Sequence, residues 1–221
     1  MSGERRLAAG CAVLVTVWAG PLPAWAHTSF SAHMTLHMAV VVLAAPLVAC
    51  GVAPRLPMGV RASLALPAWA GLADLVVIWL WHTPGLHRAA RTQTAVFVVE
   101  QVSFLLVGTA LWVAALAATS GGSAPSGRGN PLAGAAALFF TGMHMTLLGV
   151  LLALARVPVL TVATKEALAD QQRGGVIMLA VGGVVYLTGG IVLVARELAW
   201  APARPVAQQV GSPDEGGGEG R

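Results

Sequence analysis

The chain has 221 residues, 57% of them apolar and only 10% charged, with a mean hydropathy of +0.76. That composition excludes a soluble globular domain and predicts an all-α, polytopic membrane helix bundle. The formal charge of +4 is spread among short connecting segments rather than gathered on one face, which argues against a nucleic-acid partner.

Residues 1–26 read as a secretory signal. Arg5 and Arg6 supply the positive start, Leu7 to Gly20 the apolar centre, and Ala24-Trp25-Ala26 a cleavage site. The alternative is an uncleaved first membrane helix. Cleavage after Ala26 leaves His27 as the new terminus, where a free amine and an imidazole on one residue form a chelate for a metal. Five further apolar segments follow, at about 33–52, 63–82, 94–118, 131–155 and 174–195. Each is close to the 20 or so residues that cross a bilayer. The expected organisation is therefore five mature spans within 27–200, preceded by a signal peptide or a sixth helix. A Pro/Gly-rich, disordered cytoplasmic tail is expected over 201–221. The breaks carry turn residues: Ala53 to Gly59, His82 to Gln93, and Ser120 to Pro131. The last break, Arg156 to Arg173, is long enough for a short interfacial helix from Thr164. Cys11 and Cys50 stand far apart and form no C-x-x-C, so neither thiol redox chemistry nor a thiolate clamp is expected.

The stretch HMTLHM, His33 to Met38, opens the first mature span. Four residues apart on a helix, His33 and His37 share a face, and Met34 and Met38 form a stripe about 100° round. Imidazole suits copper in either oxidation state, and thioether sulfur favours Cu(I). The plainer reading is a helix end with polar and filler side chains at the interface. A start entering from the cytoplasm places His27, His33, His37, His82 and His87 at the outer side, and the loop Arg/Lys bias mildly agrees. His144 lies near the middle of the fourth span, flanked by Met143 and Met145, and Met178 lies inside the last span. Asp74 falls about 12 Å below His82 and Glu100 about 10 Å below its helix start. A carboxyl at such depth faces the bundle interior and needs a partner. Metal ligation, proton acceptance, orientation of a histidine and a structural interhelical bond all remain open for these two acids. For His144 a metal ligand and a hydrogen-bonded core histidine stand side by side, and His82 in WHTP either ligates or caps its helix.

The run DQQRGGVIMLAVGGVVYL, Asp170 to Leu187, resembles the signature of multi-span CtaG-type cytochrome c oxidase assembly proteins. HMTLHM followed by APLVACG, then WHTPGLHRAA and GMHMTLLG, are similar to the family's successive motifs in order and spacing. The resemblance spans most of residues 33–195. Matching positions are His33, His37, His82, His144, Asp170, Gln171, Gln172 and Met178. Leu179 and Val181 stand where the family tends to have Trp and Pro, and Gln101 where a His is expected. The resemblance implies a non-enzymatic factor of the plasma (inner) membrane that handles copper for a haem–copper oxidase. Copper is expected near the outer leaflet on His33, His37 and His144, with Met34, Met38 and Met178 as softer ligands. His27, His82, Asp74 and Glu100 are further candidates, and Asp170 shapes the external rim with the two glutamines. The implied partners are an oxidase subunit or a periplasmic copper carrier, in contact with membrane lipid. A b-type cytochrome using His37 and His144, and a copper or proton permease using Asp74 and Glu100, are the alternative functions.

Overall fold

A computed structural model describes residues 2–57, 65–118, 131–160 and 164–200. The described residues form helices and no strand. Helix α1 runs Gly3–Ala19 and α2 Leu22–Ala26. The next long helix is α3 (Phe30–Met38), a π-helical stretch (Ala39–Ala44), α4 (Ala45–Val52) and a closing 3₁₀ turn (Ala53–Arg55). Then come α5 (Leu66–Trp81), α6 (Pro84–Thr92), α7 (Thr94–Ala117) and α8 (Pro131–Ala153). The last long helix is α9 (Lys165–Ile177), a second π-helical stretch (Met178–Gly182) and α10 (Gly183–Trp200).

Among the described residues four helices are long and apolar enough to cross a membrane: Phe30–Arg55, Thr94–Ala117, Pro131–Ala153 and Lys165–Ala199. Helix α5 is equally apolar but has 16 residues, short of the usual 20 or so. The outward faces fit lipid: Trp69, Leu72, Val76 and Leu80 on α5, and Val98, Val99, Val102 and Leu106 on α7, are all exposed. The chain is thus a multi-pass membrane protein. The expected breaks at Ala53–Gly59 and Ser120–Pro131 lie partly or largely outside the described residues, and the tail 201–221 lies wholly outside them.

Small residues set the helix crossings. A Cβ on Gly149 would lie 2.8 Å from Leu179 N, and one on Gly175 would lie 2.5 Å from Ala153 N and 2.7 Å from Gly149 O. At this crossing α8 and the last helix approach backbone to backbone, as small residues permit in lipid. Helix α1 meets α4 in the same way, with a Cβ on Gly51 at 2.8 Å from Leu7 Cβ and one on Gly10 at 2.8 Å from Val48 Cγ2. The N-terminal helix is therefore packed into the bundle. In the first π-helical stretch the widened turn leaves the Val41 carbonyl to accept from Trp112 Nε1 at 3.3 Å, which ties α7 to this helix.

Two sequence expectations change here. His82 to Gln93, expected as a turn-rich break, contains α6, a helix that starts with Pro at its first position. The interfacial helix expected from Thr164 begins there, with the Thr164 hydroxyl accepting from Ala167 N at 3.1 Å, but continues without a break into the last span.

Candidate metal centre

The end of the bundle that holds the start of α3 is assembled by the DQQ run. Both Asp170 oxygens are taken by the start of α3. They accept from Phe30 N (2.5 Å), Ser31 N (3.3 Å), Ser31 Oγ (2.5 Å) and Ser29 Oγ (3.1 and 3.2 Å). A helix start has unpaired N–H groups and a partial positive charge, so a carboxylate there both caps and anchors it. Gln171 Oε1 accepts from Val159 N (2.8 Å) and Leu160 N (3.0 Å), and Gln172 Nε2 donates to Ala155 O (2.9 Å). Three consecutive side chains thus fasten α3, the 159–160 loop and the end of α8 to α9. The geometry gives Asp170 a positioning role, one turn outside the first histidine.

His27 is also held by the scaffold. Its Nδ1 donates to Arg91 O at 2.9 Å, and Arg91 Nε and Nη2 donate back to His27 O at 3.3 and 3.1 Å. Its ring lies 4.9 Å from that of Phe97.

With α3 anchored, His33 and His37 point towards α6 and α7. His33 Nε2 lies 3.2 Å from Glu100 Oε1, and the His33 and His87 rings are 5.0 Å apart. His33, His87 and Glu100 are all buried, and each offers one ligand atom within 4.8 Å of the others. Donors around one ion with bonds of about 2 Å stand roughly 3–4 Å apart, so modest side-chain movement closes the group. His33 Nδ1 and His87 Nε2 have no hydrogen-bond partner, and His33 Nε2 has only its contact with Glu100. Buried polar atoms without partners are rare and call for an explanation. Burial, then the imidazoles of His33 and His82 and the Arg91 guanidinium, push His87 down to about 2, so it is neutral at physiological pH. Gln101 follows Glu100, and its Nε2 donates to Glu100 Oε2 at 3.4 Å.

The sequence reading puts His87 at the outer face but not among the expected ligands, and the structure brings it beside His33 and Glu100. The signal was the five-residue spacing of WHTPGLH across a Thr-Pro helix start.

The remaining candidates fall into separate places. One turn inward, His37 faces His82 with ring centroids 6.0 Å apart, and Phe104 packs on His37 at 4.0 Å. His144 does not join His33 and His37 in that cluster; its Nε2 lies 3.4 Å from Asp74 Oδ2 in a second buried pair. Both intramembrane acids therefore have an imidazole partner, Asp74 on α8 and Glu100 on α3. The methionines face another way. A Cβ on Gly174 would meet Met34 Cγ at 3.0 Å, and one on Gly182 would meet Met38 Sδ at 3.8 Å and Met145 Cε at 3.7 Å. Met34, Met38 and Met145 thus pack against the last helix, where Met178 is also fully buried.

No curated protein and no solved structure matches the chain. The family model described as cytochrome c oxidase caa3 assembly factor (Caa3_CtaG) matches residues 7–199, so it takes in every residue of the DQQ clamp and of the buried imidazole clusters. The chain belongs to the cytochrome c oxidase caa3 assembly factor family.

Proposed function

We propose that this protein serves oxidase assembly by handling copper as cargo, taking the ion from the outer side of the plasma membrane through His33, His87 and Glu100. The observation that carries the proposal is a buried group of two imidazoles and one carboxylate in which His33 Nδ1 and His87 Nε2 have no hydrogen-bond partner and His33 Nε2 faces Glu100. Imidazole nitrogen binds copper well. One carboxylate neutralises a monovalent ion, which limits the cost of holding charge at membrane depth. Family membership supports the assembly role. The partner on this reading is an oxidase subunit that receives the ion or a periplasmic carrier that supplies it. Membership of an assembly factor family supports a non-catalytic role.

The cytochrome alternative fits less well. His37 and His144 have different partners, and a haem plane between His37 and His82 would displace Phe104 from the His37 ring. The test is metal analysis of detergent-purified protein loaded with Cu(I), beside a His33→Ala/His87→Ala variant, together with the copper content of the oxidase in a deletion strain. Copper bound by the wild type and reduced in the variant, with an under-metallated oxidase in the deletion strain, is the expected result. Equal copper in both proteins would refute the site, and normal oxidase copper would refute the role.

A further inference from the structure

We propose that His37 and His82 form a second, inner Cu(I) site, to which copper passes from the outer group; this rests on the copper reading above. His37 lies one helical turn below His33 on the same face, about 6 Å further into the bundle. It is fully buried, and neither of its ring nitrogens has a hydrogen-bond partner. A buried imidazole in that state is destabilising relative to a satisfied one, so its presence calls for a compensating ligand.

His82 supplies the complementary half. Its Nδ1 lies 2.7 Å from the carbonyl oxygen of Ile78. A carbonyl only accepts, so Nδ1 carries the proton and Nε2 presents a lone pair. That Nε2 is buried and without a partner. A backbone carbonyl fixing the tautomer and orientation of an imidazole is the usual support of a metal-binding histidine. The His37 and His82 centroids stand 6.0 Å apart. Two metal–nitrogen bonds of about 2 Å plus two ring radii of about 1.2 Å place linearly bridged centroids at roughly 6.4 Å. Linear coordination by two nitrogens is a geometry that Cu(I) accepts and that Cu(II) and Zn(II) disfavour. The Phe104 ring against His37 keeps the pair dry, which also favours the lower charge.

The four histidines then form a ladder. His33 with His87 makes the outer rung and His37 with His82 the inner one, and both rungs join α3 to the α5–α6 corner. The rungs differ in chemistry. The outer has a carboxylate, the inner has nitrogens only, so Cu(I) held there retains its charge and binds through ligands it can leave by exchange.

The experiment counts Cu(I) equivalents on the full-length protein in detergent, with a chromogenic Cu(I) chelator as competitor under reductant. The wild type should hold two equivalents. His37→Ala and His82→Asn should each hold one, and His33→Ala/His87→Ala should hold one whose X-ray absorption shows two nitrogen neighbours. His37→Met should regain the second equivalent with a sulfur neighbour, which a merely misfolded variant would not do. A wild type holding a single equivalent that disappears in His33→Ala/His87→Ala but stays in His37→Ala overturns the inner site alone and leaves the outer one standing. Loss of both equivalents in a monodisperse His37→Ala protein overturns it too, because the four histidines would then form one site. No Cu(I) on the wild type overturns both proposals.

Discussion

Asp170→Ala tests whether the DQQ run acts by anchoring α3. In the wild type the carboxylate accepts from two backbone N–H groups, Phe30 and Ser31, and from the hydroxyls of Ser29 and Ser31. Ser29 separately caps Ala32 N at 3.2 Å, so that bond survives the substitution. Losing a partner costs each backbone donor about 1 kcal/mol at a partly hydrated site. Losing a negative charge at a helix start costs about 0.3–1 kcal/mol more. The sum is roughly 2–3 kcal/mol, and in a chain of this size each kcal/mol moves Tm by about 2–4 °C. Asp170→Ala should therefore lower Tm in detergent by roughly 5–10 °C. Asp170→Asn keeps an acceptor oxygen and should lower it by less than half as much. The assay is thermal unfolding of purified protein followed by light scattering and intrinsic fluorescence, with bound Cu(I) measured below the transition. Because α3 carries His33 and His37, Cu(I) affinity should fall in the same order. An Asp170→Ala protein with unchanged Tm, or one with lowered Tm in which Asn is as damaging as Ala, would refute the anchoring argument.

Three further outcomes follow from the packing and the charges. Burial holds His87 at about 2 against an ordinary 6.5, so the unfolded chain takes up the proton first. The metal-free protein should therefore lose stability as pH falls below about 6.5, and His87→Gln should flatten that slope in Tm measured from about pH 7 to about pH 5. Gly175→Ala sets a methyl against backbone atoms at 2.5 and 2.7 Å, so it should destabilise by about 1–3 kcal/mol despite its helix propensity. Gly85→Ala, with nothing within 4 Å of its Cβ, should be neutral or stabilising, and comparing the two by Tm and membrane yield checks the point. Close packing of α1 on α4 around Gly10 and Gly51 predicts that residues 1–26 stay with the mature protein. An intact mass lacking them would contradict this and would restore a free amine on His27.

Periodicity and cost made part of the site legible. The i, i+4 spacing of His33 and His37 put both on one face, and Met34 and Met38 on another, as the structure has them. The expense of a carboxyl at membrane depth indicated that Asp74 and Glu100 have partners. The identities of those partners were not legible, because they depend on how α5, α7 and α8 pack rather than on any single helix. For the same reason a shared face suggested that His33 and His37 bind together. The turn at Thr83 and Pro84 instead gives each histidine its own opposite number, five residues apart on the far side. Span limits were legible to within a few residues for 94–118 and 131–155, where apolar sequence ends abruptly. They were not for the last helix, which extends outward through the polar DQQRGG run because Thr164 caps it and that run is satisfied by neighbouring backbone.

The two π-helical stretches bear on how the chain tolerates changes in length. Such a turn accommodates one residue more than an α-helix needs, so the faces on either side keep their directions. Removing one residue from Ala39–Ala44 should return the helix to α geometry while leaving His33 and His37 above it, and Ala45 and Ala49 below it, aimed as before. The cost would fall on the bond that the Val41 carbonyl accepts from Trp112 Nε1, since the altered turn would re-aim that carbonyl. The same deletion in the uninterrupted α7 would rotate everything beyond it by about 100°. Insertions and deletions among related chains are thus admissible at Ala39–Ala44 and Met178–Gly182, and alignments of this family have a physical reason to place their gaps there.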